Sequence, residues 1–175
     1  MGTFMRGRLT RAVTRVSLAV ALLGLIAPTA TAAAQPAQTV RTRTVLLPLN
    51  GTFDEAGAEP IAITGSIRVT VITRTNPGGG GTALINSALG PTTGIGQETG
   101  GTYRFVGADA TTRSYPPGPI TPLVFKPVFL KFFPPGPIVP PHPIRPVQVG
   151  VLVAGNGNIT NISATIDRGI ENPDN

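Results

Sequence analysis

The chain has 175 residues, 14 Lys plus Arg against 8 Asp plus Glu, one His and no Cys. That length allows one domain. Without Cys there is no disulfide scaffold, thiolate metal site or thiol nucleophile, and a single His excludes a multi-His metal site.

Residues 1–34 read as a secretory signal peptide. Arg6, Arg8, Arg11 and Arg15 form a positive start, Val16 to Ala27 is apolar, and Ala32-Ala33-Ala34 fits a cleavage site before Gln35. The apolar run is shorter than the roughly 20 residues a spanning helix needs, and no second such run follows. The reading is therefore export, with periplasm or cell surface as possible ends and no transmembrane segment in the mature chain. Four of the 14 basic residues and none of the 8 acids lie in this segment, so ten positive charges face eight negative ones after cleavage. The remaining positives are scattered, which argues against nucleic acid as a partner. An exported chain without Cys fits a bacterial source.

From residue 35 to 166, alternating β-branched stretches between Gly and Pro clusters predict about seven strands and no helix. The first strand spans Thr39 to Leu49, ended by an Asn50-Gly51 turn. A polar loop runs from Asp54 to Pro60. The second strand, Ile61 to Thr73, puts Ile61, Ile63, Ile67, Val69 and Val71 on one face, with Gly65 as a possible bulge. The hairpin tip Asn76 to Gly81 leads to a third strand, Thr82 to Leu89. Gly94 to Gly101 reads as a glycine-rich loop; it lacks the Lys and the following helix of a phosphate-binding loop. A fourth strand, Thr102 to Val106, continues past a Gly107 kink toward Ser114.

Two proline-rich corners follow, at 115–122 and 133–146. Tyr115-Pro116-Pro117-Gly118-Pro119-Ile120-Thr121-Pro122 is echoed 18 residues later by Phe133-Pro134-Pro135-Gly136-Pro137-Ile138-Val139-Pro140. Between them, Leu123 to Phe132 is the most apolar stretch after the leader, and Pro127 marks it as an edge or bulged strand. Val147, Val149, Val151 and Val153 open a final hairpin that returns through Ile159 to Ile166. Residues 167–175 form a polar tail. The fold class is all-β: a single antiparallel sandwich or a small flattened barrel.

No motif carries chemistry. His142 sits between prolines, the acids fall in loops, and Asp54, Glu55 and Glu59 are a weak calcium pattern without the spacing. No cofactor or metal is expected. Phe125, Phe129, Phe132 and Phe133 are the candidate binding residues: Phe125, Phe129 and Phe133 share one strand parity and Phe132 the other, so one face packs into the core while the other meets something else. These features predict a non-catalytic exported binding module, whose partner is an unknown protein, surface or lipophilic ligand. A lipophilic carrier with a barrel cavity is the alternative, and a carboxylate enzyme a third.

Overall fold

The computed structural model describes residues 38–55, 58–132 and 142–167. These residues form strands and connecting turns, with no helix. The strands are β1 (Thr39–Phe53), β2 (Ile61–Thr75), β3 (Gly81–Leu89), β4 (Thr92–Gly96), β5 (Thr102–Val106), β6 (Ala108–Tyr115), β7 (Ile120–Phe125), β8 (Phe129–Phe132), β9 (His142–Ile144), β10 (Val147–Ala154) and β11 (Ile159–Ile166). They make two antiparallel sheets and no closed barrel. The larger has the order β6-β3-β2-β4-β5-β8-β9, with β1 on the other edge of β2; the smaller is β11-β10-β7. The signal segment, the tail from residue 168 and most of the second proline corner lie outside the described residues.

Eleven short strands stand where about seven longer ones are expected, because several long strands are broken. β3 and β4 follow β2 in turn, and Leu89–Pro91 carries one residue more than β2 has opposite it. β6 and β5 follow β3 and β4 on the next row, interrupted at Gly107. Gly107 has φ 135°, which disfavours any residue with a Cβ. Gly65 shows no slip against β1. The expected bulge lies on the neighbouring strand, and Gly65 is instead where a Cβ would strike Thr92.

The strand from Ile120 to Phe132 breaks at Lys126–Val128. Its first half, β7, pairs with β10 in the small sheet; its second half, β8, pairs with β5 and β9 in the large one. Pro127 and Pro146 stand at the two breaks, where the missing N–H ends a ladder. One hairpin thus corners from sheet to sheet, the device that joins orthogonally packed sheets. The chain otherwise meanders, each long strand antiparallel to the one before it. With an odd number of such strands the first and last run the same way. β11 indeed lies along β1 without a ladder. Arg43 Nη1 donates to the carbonyls of Ile159 and Thr160 at 2.8 and 3.0 Å, while a Cβ on Gly51 would meet Ile166 at the other end of β11.

Two further expectations are corrected. Asn50-Gly51 is not a turn: β1 continues to Phe53, with Asn50 opposite Thr64 and Gly51 opposite Ile63. Gly94-Ile95-Gly96 is not loop but β4. Its glycines are buried because Ile61 and Phe105 crowd Gly94 and the Glu59 carboxyl crowds Gly96. Composition alone cannot separate a glycine chosen for close packing from one chosen for a turn.

The core lies between the sheets. Ile67, Val69, Val71 and Ile85 of the large sheet meet Leu123, Phe125, Val149, Val151 and Val153 of the small one. A smaller cluster of Phe53, Ile61, Ile63, Phe105 and Ile144 fills the other end. The buried polar groups are paired: Thr75 Oγ1 and Tyr115 Oη lie 2.7 Å apart, and Thr73 Oγ1 donates to the Gly157 carbonyl at 2.7 Å. In β11 a bulge beside Val153 pushes Thr160 outward and lets Ile159 as well as Ile162 turn inward.

Candidate interaction surface

The strand from Ile120 to Phe132 is apolar on both faces, and alternation sorts its side chains. Leu123, Phe125, Pro127 and Phe129 point inward; Phe125 is 6% exposed and Phe129 1%. Ile120, Pro122, Val124, Lys126, Val128, Leu130 and Phe132 take the outward parity. Ile120 and Val124 are each 52% exposed, and Leu130 and Phe132 are half-buried. So two of the four expected phenylalanines supply core, and Phe132 belongs to the outer stripe. Phe133 lies outside the described residues.

Residues paired across an antiparallel ladder share a face, so the register shows what widens this stripe. At the small sheet, Ala154 lies opposite Ile120, Leu152 opposite Pro122 and Gly150 opposite Val124. At the large sheet, Val106 and Pro143 flank Leu130, and Arg104 flanks Phe132. Val106 is itself an exposed large hydrophobic. The single ammonium on the stripe, Lys126, is paired with Asp167 at 2.7 Å, so its charge is locally balanced. Alternation in the sequence pointed to two apolar faces; which one is outward depends on where the small sheet sits.

On the other face of β5, the one that Tyr103 shares with Phe105, lies a polar clasp. Glu59 precedes β2, and its carboxylate accepts four hydrogen bonds from the β4–β5 turn and β5. Tyr103 Oη and Thr99 Oγ1 each donate to Oε1 at 2.7 Å; the Thr99 and Glu98 amides donate to Oε2 at 2.9 and 3.1 Å. Hydrogen bonds to the charged form, that of Tyr103 first, pull Glu59 down to a pKa of about 2. Burial first, then the Glu59 carboxylate, pushes Tyr103 up to about 12. Lys131 Nζ bonds Glu55 at 2.9 Å and sits 5.9 Å above the Tyr103 ring. The clasp holds the loop before β2 onto the β4–β5 turn, and a carboxylate so strongly ionised is no general acid near neutrality. The glutamate before β2 lies 40 residues ahead of the threonine in the β4–β5 turn and 44 ahead of the tyrosine in β5, so no local pattern hinted at this meeting.

The remaining acids are dispersed. Asp54 lies beyond β1, Glu98 sits in the β4–β5 turn and Asp109 is the second residue of β6. Asp109 pins the broken strand, its Oδ2 accepting the Val128 amide at 2.8 Å. Among the described residues no three of His, Asp and Glu gather as a metal site. For His142 the described part is backbone, in β9.

No protein-family model matches the chain, and comparison with curated proteins and with solved structures returns no match.

Proposed function

We propose that the chain is a non-catalytic exported module that binds a partner through the outward stripe of the Ile120–Phe132 strand. One observation carries the reading: a strand that already supplies core with its inner side chains presents an almost wholly apolar outer side. A solvent-facing sheet surface ordinarily alternates apolar-in with polar-out, and a contiguous exposed apolar patch on a monomer marks an interaction site. The interlocked Glu59 carboxylate and Tyr103 hydroxyl support a binding role over acid–base chemistry. Export rests on the leader-like composition of residues 1–34.

The test is uptake of an environment-sensitive apolar dye by the purified chain. The unaltered protein is expected to bind it, and Ile120→Lys/Val124→Lys to lose most of the signal at an unchanged melting temperature. Equal dye uptake by both proteins would reject the stripe as the binding surface. A Phe132→Ser variant should behave like the double variant, whereas Phe125→Ser and Phe129→Ser should lose the folded state.

A further inference from the structure

Sheet edges expose unpaired N–H and C=O groups, and proteins blunt them with proline, charge, very short strands or a covering segment. The described edges of this molecule follow that rule with one exception. β1 contains Pro48 and is tied to β11 through Arg43. β11 is covered by β1. β7 contains Pro122, which offers no donor, and β9 is three residues long with Pro143 at its centre. β6 differs. It pairs with β3 alone, runs eight residues, Ala-Asp-Ala-Thr-Thr-Arg-Ser-Tyr, has no Pro, and its two charges, Asp109 and Arg113, are opposite in sign, so they do not deter a second copy of the same strand. Ala108, Ala110, Thr112, Arg113 and Ser114 are exposed.

We propose that β6 is a self-pairing edge, joining a second copy of this chain antiparallel across a two-fold axis at Thr111. Two constraints lead there. In a regular antiparallel ladder, opposed residues both turn their backbone groups toward the partner or both turn them away. Along one strand that orientation alternates, so two copies of β6 can pair only residues of equal parity. The axis then falls on a residue, not between two. Of the central choices, an axis at Ala110 sets Asp109 against Thr111, and one at Thr112 sets Asp109 against Tyr115. The axis at Thr111 sets Asp109 against the second copy's Arg113, and Arg113 against its Asp109.

Asp109, Thr111 and Arg113 all share one face of β6, opposite Ser87, Ile85 and Ala83 of β3, so both ion pairs form on the same side of the joined sheet. Asp109 is positioned for this. Its two oxygens accept the Ala110 and Val128 amides at 2.8 Å each, which fixes the carboxylate while leaving lone pairs for a guanidinium. Arg113 has no carboxylate partner among the described residues. Small side chains fill the other face, with Ala110 opposite Thr112 and Ala108 opposite Ser114. The outcome is a sheet continuous through both copies.

Sedimentation of the purified chain over a concentration series is expected to show a monomer–dimer equilibrium. Arg113→Glu places like charges opposite each other twice and should weaken association on the order of tenfold. Asp109→Lys should do the same. Their equimolar mixture restores opposite charges in both pairs and should recover the dimer. Because the chain has no Cys, Thr111→Cys places a lone thiol on the axis, and mild oxidation should give a covalent dimer faster than Thr70→Cys. This arm stands even if Asp109→Lys fails to fold. A chain monomeric at every concentration, a dimer indifferent to Arg113→Glu, or equal cross-linking at positions 111 and 70 would each overturn the proposal. A monomer that pairs β6 with an extended peptide instead would also overturn it.

Discussion

Glu59 and Tyr103 show how far a single exposed-looking carboxylate can be shaped by its donors. Glu59 titrates near 2 in the folded chain instead of the usual 4.5, so its contribution is present above pH 4.5 and is lost as pH falls from there toward 2. Tyr103 titrates near 12 instead of 10; being an acid held neutral, it contributes below pH 10 and loses that contribution between pH 10 and 12. The melting temperature of the unaltered chain should therefore drop toward both extremes, and Tyr103→Phe should flatten the alkaline limb and remove the late phenolate absorbance step. An unaltered chain with no late phenolate step would contradict the clasp. Glycine at 94 makes a second residue-scale case. A Cβ there would come within 2.5 Å of Ile61 Cγ2 and 2.9 Å of Phe105 Cε2, so Gly94→Ala should destabilise by about 1–3 kcal/mol in urea unfolding. A neutral result would mean that β4 can shift away from β2.

At the scale of elements, the Ile120–Phe132 strand separates its two faces by consequence. Phe129→Ala should cost about 3–5 kcal/mol, because the ring is fully buried between the sheets. Phe132→Ala should stay within about 1 kcal/mol, since its ring is half solvated. Equal losses would place both rings in the core. The same strand shows what was legible and what was not. Its apolar run, an irregularity at Pro127 and the opposite parity of Phe132 follow from the residues themselves. Membership of two sheets does not, since it depends on pairing with β5 on one side and β10 on the other. β4 stayed hidden for a related reason: its glycines look like loop until Ile61 and Phe105 are seen to press on them.

For the whole molecule, the seam between β1 and β11 is the place where closure stops. Among the described residues Arg43 bridges it, by hydrogen bonds to the Ile159 and Thr160 carbonyls. Arg43→Ala should cost about 1 kcal/mol, because the group is largely solvated, and should speed amide exchange in β11 more than in β10. Uniform exchange changes would show that the seam has no separate stability. By itself the sequence determined the all-β class, the shared face of the valines in the last hairpin and the absence of thiol chemistry, because local alternation and residue type act over a few positions. Only the tertiary structure decided the split into two sheets, the clasp around Glu59, the outward side of the apolar strand and the open β6 edge. Each of those depends on side chains or backbone far apart in the chain being brought to one place, and no local pattern encodes which of several compatible registers the packed core selects.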